Sequence, residues 1–216
     1  MMLARLSNYW NFFLHPTAAH ERLGQYHVLN SKEDIDHHSL SIYEVMLISW
    51  PLVMVQGFYA LISLNLNFYL INNQSMLNQF LTLLGAGHLP RLHRVLVSVQ
   101  ILQVILAPLW MWVMYKFWAS FVIFFGKLYN LPVNVRQSAE DICKVSMTSH
   151  LFLVIPVFGP FAKFICNFVY LFLGLRHNLL LSPLQSLMVL IAPIFLFSSL
   201  VLGFLSVLLM LVNLFS

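Results

Sequence analysis

Between Glu44 and Glu140 the chain has no Asp or Glu, and none follows Asp141. Long apolar runs fill both stretches. Such charge-poor sequence lies far from that of soluble domains, in which about a quarter of the residues are charged. Here charged residues are 8% and hydrophobic ones 60%. Such a chain needs lipid as its solvent, and in lipid the backbone must bond to itself. The fold class expected is therefore all-α: a polytopic helical membrane protein of about five transmembrane helices, with an N-terminal amphipathic helix.

Residues 1–42 read as an N-terminal cytoplasmic or interfacial segment. "MMLARLSNYWNFFLHP" is interrupted by Arg5, Asn8 and Asn11, so it lacks the apolar core of a signal peptide. Leu3, Leu6, Trp10, Phe13 and Leu14 recur at helical spacing. This predicts a helix that ends at Pro16 and either lies on the membrane surface or packs on the spans. Residues 17–42 hold Glu21, Glu33, Asp34 and Asp36, and read as a solvated linker or small cap.

Residues 43–216 read as a five-helix transmembrane domain, with approximate spans 43–71, 94–126, 139–158, 160–175 and 184–215. Glu44 opens the first span, where its charge suits the helix dipole, and Pro51 predicts a mild kink. Asn72 to Ser75 read as a turn, followed by a short interfacial helix over Met76–Leu84. Lys116 sits among Trp110, Trp112, Tyr115 and Trp118. Either it snorkels within an aromatic belt or it is a buried functional charge. Trp10, Lys116 and Trp118 are the interfacial candidates.

The stretch "SHLFLVIPVFGPFAKFICNFVYLFLGLRH", residues 149–177, breaks at Pro156-Val157-Phe158-Gly159-Pro160. Each proline pushes its predecessor out of helical geometry, and Gly159 permits a tight turn. Ser138 with Asp141 resembles a capping box for the preceding helix, and Gly174 suits a C-cap before Arg176 and His177. Two short spans joined by a turn is the preferred reading; a re-entrant hairpin is the alternative. On five spans, Lys and Arg accumulate on one side, which places the N-terminus in the cytoplasm and the C-terminus outside.

Reaction chemistry is hard to find. There is no GxxxxGK[ST] and no GxGxxG, and "HERLGQYH" lacks the HExxH spacing. No carboxylate falls within a span interior. The nine histidines show no ligand spacing, and Cys143 and Cys166 stand far apart. No cofactor, metal site or enzymatic activity is expected, and no basic run could follow a nucleic acid. Polar residues within spans are Gln56, Asn65, Gln100, Gln103, His150, Lys163 and Asn167. Such residues usually bond between helices. His150, Lys163 and Asn167 flank the broken stretch and are the first candidates for an intramembrane polar site.

The order "AEDICKVSMTSHLFLVIPVFGP", then "FICNFVYLFLGLRH", then a long apolar block with Pro193 resembles the Yip family of five-span membrane proteins. "FFLHPTAAHERL" is similar to the segment before the first span in short bacterial-type members. The resemblance implies a bundle with a cytoplasmic N-terminus, in a bacterial cytoplasmic membrane, or in endoplasmic reticulum and Golgi for a eukaryotic chain. It implies an adaptor or organiser of a membrane assembly or of trafficking, with membrane lipids and protein partners, self-association among them. The chain lacks the Pro/Gly-rich region and DLYGP-type motif of eukaryotic members, so Rab GTPase binding is not expected. The other reading is a lipid or small-solute transporter with its polar site beside the broken helix pair.

Overall fold

The computed structural model describes residues 2–29, 41–73, 89–131 and 133–215, and every regular element among them is helical. In order these are α1 (Met2–Leu14), α2 (Pro16–Leu29), α3 (Ile42–Asn73), α4 (Leu89–Leu128) and α5 (Val135–Met147). A 3-10 segment (Thr148–Val154) follows, then α6 (Gly159–His177) and α7 (Pro183–Phe215). The short helix expected over Met76–Leu84 lies outside the described residues.

Side-chain caps start three of these helices, and two of the three are reciprocal. Ser41 Oγ accepts from the Glu44 N–H while Glu44 accepts from the Ser41 N–H, at 3.4 and 3.1 Å. Ser182 and Gln185 make the same exchange at the start of α7. For α5 the cap is Asn134, which accepts from the Gln137 N–H. This corrects the expected cap at Ser138, which is instead buried one turn inside the helix. The Gln137 side chain accepts in return from Asn134 Nδ2 at 3.3 Å, so this pair satisfies the N3 donor but, unlike the Ser/Glu form, leaves the cap N–H aside.

Among the described residues, three helices are long and apolar enough to cross a membrane: Ile42–Leu70, Leu92–Leu128 and Pro183–Ser206. These match three of the five expected spans. The other two, 139–158 and 160–175, correspond to α5 with its 3-10 extension and to α6. Neither is among the three. α5 is only 13 residues long and carries Arg136, Glu140, Asp141 and Lys144; α6, at 19 residues, has its mean hydropathy lowered by Lys163, Asn167, Arg176 and His177.

The chain turns back between them at residues 155–158, and α6 packs antiparallel on the 3-10 segment and α5. The reversal uses a left-handed residue, but it is Val157, at φ 66°, rather than Gly159. Gly159 serves close approach: a Cβ there would meet the Phe152 carbonyl oxygen at 2.5 Å.

The core sits at one end of the molecule. Val45 of α3, Tyr115 and Val122 of α4, Ile142 of α5, Leu171 of α6 and Val189 of α7 are all buried. The far ends of the long helices turn apolar side chains outward, among them Phe58, Leu66, Ile105 and Phe204. In lipid that exposure carries no hydrophobic penalty.

Residues 17–29, expected to be part of a linker or cap, instead belong to α2. Ala19, His20 and Leu23 are buried in one stripe against α6 and α5. A histidine in the stripe disguises it in the sequence. Pro16 does end α1, and it also begins α2, as its fixed φ allows at a first helical position. Gly174, expected as a C-cap, lies inside α6, whose cap is Asn178. A Cβ at Gly174 would meet Ile142 and the His20 ring at 2.8 and 2.9 Å. The glycine is there for packing.

Candidate functional site

Where the core gives way to the outward-facing ends, α3, α4, the 3-10 segment and α6 leave a cavity of about 730 Å³. Gln56 of α3, Gln100 and Gln103 of α4, His150 of the 3-10 segment and Lys163 and Asn167 of α6 all line it. Helical spacing explains how each element delivers its share. Val53, Gln56 and Ala60 lie at i, i+3 and i+7, as do Gln100, Gln103 and Ala107; Lys163 and Asn167 are one turn apart. The rest of the wall is apolar, including Leu106, Trp110 and Phe164.

The α3–α4 crossing beside the cavity is fixed by two features. Gly57 lets Val104 come so close that a Cβ would overlap its Cγ2. Trp50 Nε1 donates to the Val104 carbonyl at 3.2 Å. That carbonyl would normally accept from the residue four positions on, which is Pro108 and has no N–H. The indole therefore satisfies an acceptor that the proline orphans.

His150 donates from Nδ1 to the Met147 carbonyl at 2.6 Å, since a carbonyl only accepts. In the neutral ring this leaves Nε2 as an acceptor. Gln56 Oε1 is buried with no hydrogen-bond partner in the protein. Among the described residues no carboxylate forms an ion pair with Lys163. The polar groups of the cavity are thus largely unspent within the protein.

The structure brings together the three candidates His150, Lys163 and Asn167, and adds Gln56, Gln100 and Gln103 to them. Asn65 is not part of the group; its Nδ2 donates to the Leu61 carbonyl at 2.7 Å on its own helix. Lys116 is exposed with its ammonium over the Tyr115 ring, 5.4 Å from the centroid, and does not line the cavity. Trp118 is half-buried and packs on the core. Trp10 is half-exposed, in a stripe with Leu6 and Leu14 on the outer face of α1.

A second polar feature lies at the core end, outside the three long apolar spans. His20 is fully buried between α2 and α6, near His177 and Asn178. Burial lowers its pKa to about 4, and the neighbouring His177 acts in the same direction. Asp141 of α5 is also near and opposes this, but it is engaged by Lys144 at 2.9 Å. No group of three or more His, Cys, Asp or Glu side chains converges as a metal site among the described residues.

Among the described residues, fold and cavity together define a helical protein with three helices long and apolar enough to cross a membrane and a chamber beside two of them in which polar side chains meet an apolar wall. No known protein family, characterised protein or solved structure matches the chain.

Proposed function

We propose that the chain is a non-enzymatic integral membrane protein that takes up one lipid headgroup or small polar solute in the cavity between α3, α4 and α6. The observation that supports this is the convergence of Gln56, Gln100, Gln103, His150, Lys163 and Asn167 from four elements. Polar groups are costly in hydrocarbon unless partnered. A chamber of this size, with unspent donors and an apolar rim, suits an amphiphile or a solute passing between leaflets.

On this reading the α5–α6 hairpin is re-entrant. Its apex exposes Val157, Phe158 and Phe161, which belong in hydrocarbon rather than in water. The chain then crosses three times, with α5 and the α6 C-terminus on the N-terminal side. Arg22, Lys127, Arg136, Lys144 and Arg176 gather on that side, which favours the cytoplasm. A bacterial cytoplasmic membrane is the location we favour.

A second reading, the Yip-like adaptor, draws on a different observation. The apolar stripe Leu6, Trp10 and Leu14 and the outer faces of the long helices stay uncovered, leaving room for partner helices or a second copy as well as for lipid. Crosslinking in native membranes that recovers the chain alone would count against it.

The cavity reading is tested by native mass spectrometry of the full-length protein released gently from membranes. The wild-type protein should retain about one lipid or solute molecule. Ala60→Trp, which fills the cavity from α3, should lower retention at least fivefold without loss of folding. An empty wild-type protein, with flat traces in a liposome panel of lipid scrambling and solute flux, would sink the reading.

A further inference from the structure

We infer that the ligand of the cavity carries an anionic phosphate group, with Lys163 as its cationic partner; the inference rests on the cavity being a binding site.

The cavity walls come from α3, α4, the 3-10 segment and α6. Those segments contain a single carboxylate, Glu44, which lies at the very start of α3 and exchanges capping bonds with Ser41. The sequence provides none from 45 to 139 and none after Asp141. Glu140 and Asp141, on α5, are occupied by Arg136 and Lys144. Among the described residues, Lys163 therefore stands in a chamber between membrane helices with no carboxylate paired to it. An uncompensated ammonium there is unfavourable, and an anion supplied from outside removes the imbalance.

The neutral groups fit the same ligand. Gln100 and Gln103 on one wall, Gln56 on the second and Asn167 on the third each carry an amide NH2. The Gln56 oxygen has no partner, so nothing holds that amide from turning its NH2 inward. Donors spread over several walls match the tetrahedral oxygens of a phosphate better than a planar carboxylate, which addresses one direction. His150 Nε2 can accept from a hydroxyl on the same ligand, such as a glycerol headgroup or a protonated phosphate oxygen. A cation is disfavoured, because Lys163 would repel it and no carboxylate would receive it.

The phosphate can arrive on a membrane lipid or as a free solute, and one titration separates the two. Wild type, Lys163→Gln and Lys163→Arg are purified full-length and titrated with phosphatidylglycerol and with phosphatidylcholine, each also in the presence of inorganic phosphate. Wild type should prefer the anionic lipid at least tenfold. Lys163→Gln should abolish that preference, and Lys163→Arg should keep most of it. Competition by inorganic phosphate would support a soluble phosphate ligand; lack of competition alongside the lipid preference would support a lipid one. An unchanged preference in a folded Lys163→Gln protein would overturn the inference. If Ala60→Trp still removes binding in that case, the cavity reading stands and only the anion assignment falls. If neither variant alters binding, both fall. Gln103→Leu keeps the charge and should weaken phosphatidylglycerol binding severalfold, which guards against a folding defect peculiar to Lys163.

Discussion

The Tyr9 hydroxyl lies 3.0 Å from Ser49 Oγ and donates to the Met147 carbonyl at 3.3 Å. One buried side chain thereby ties α1 to α3 and to the end of α5. The N-terminal helix is part of the bundle, with only its Leu6–Trp10–Leu14 stripe turned outward. Tyr9→Phe should keep the ring packing and lose the polar ties, leaving buried Ser49 short of a partner. The expected loss is about 1–2 kcal/mol, read from denaturation midpoints and from faster protease cleavage near residue 15.

Trp50, Val104 and Pro108 form a coupled set. Trp50→Phe should leave the Val104 carbonyl without a donor and destabilise by about 1–3 kcal/mol. Pro108→Ala restores a backbone N–H four residues on, so the same Trp50→Phe change should cost less in that background. A double-mutant cycle checks this. Additive effects would show that the indole bond is not tied to the proline.

Two glycines govern how α2 docks on α5 and α6. Gly174→Ala pushes a methyl into Ile142 and His20, side chains that can shift, and should cost about 1–3 kcal/mol. Gly24→Ala meets the His177 carbonyl oxygen at 2.5 Å, a backbone atom that cannot. It should cost at least as much and should release α2 first, seen as new protease cleavage around residues 16–29 before global unfolding.

His20 should make stability depend on pH. Its folded-state pKa is lowered from 6.5 to about 4. Above about pH 6.5 the ring is neutral in both states and its burial carries no protonation penalty. Between pH 6.5 and 4 the unfolded chain takes up a proton that the folded chain refuses, so stability falls as pH falls. At about 1.4 kcal/mol per unit, the loss by pH 4 is roughly 3 kcal/mol. His177 and Asp141 face the ring, so His177→Gln should shift the window upward slightly. His20→Leu should flatten the slope between pH 6.5 and 4; an unchanged slope would assign it to other groups.

Much of this was legible in the sequence. The three long apolar helices follow from run length alone, and the break at Pro156–Pro160 appears as a reversal. His150, Lys163 and Asn167 were visible as polar residues in apolar surroundings. What the sequence could not provide was convergence. Gln56 and Gln103 lie far apart in the chain, and only the α3–α4 crossing at Gly57 and Val104 puts them on one chamber. Local signals misled where tertiary packing outweighed them. Ser138 and Gly174 look like caps, but both are buried where α5 and α6 meet their neighbours. The α2 stripe was hidden because His20 counts as polar until its burial is known.

A ligand held in the cavity by Lys163 would be visible directly. An experimental structure of the full-length protein in lipid nanodiscs tests this most directly. Non-protein density is expected between Gln56, Gln103 and Lys163, with the ammonium in contact with it. A chamber filled by its own side chains, with Lys163 extended away from it, would contradict the account.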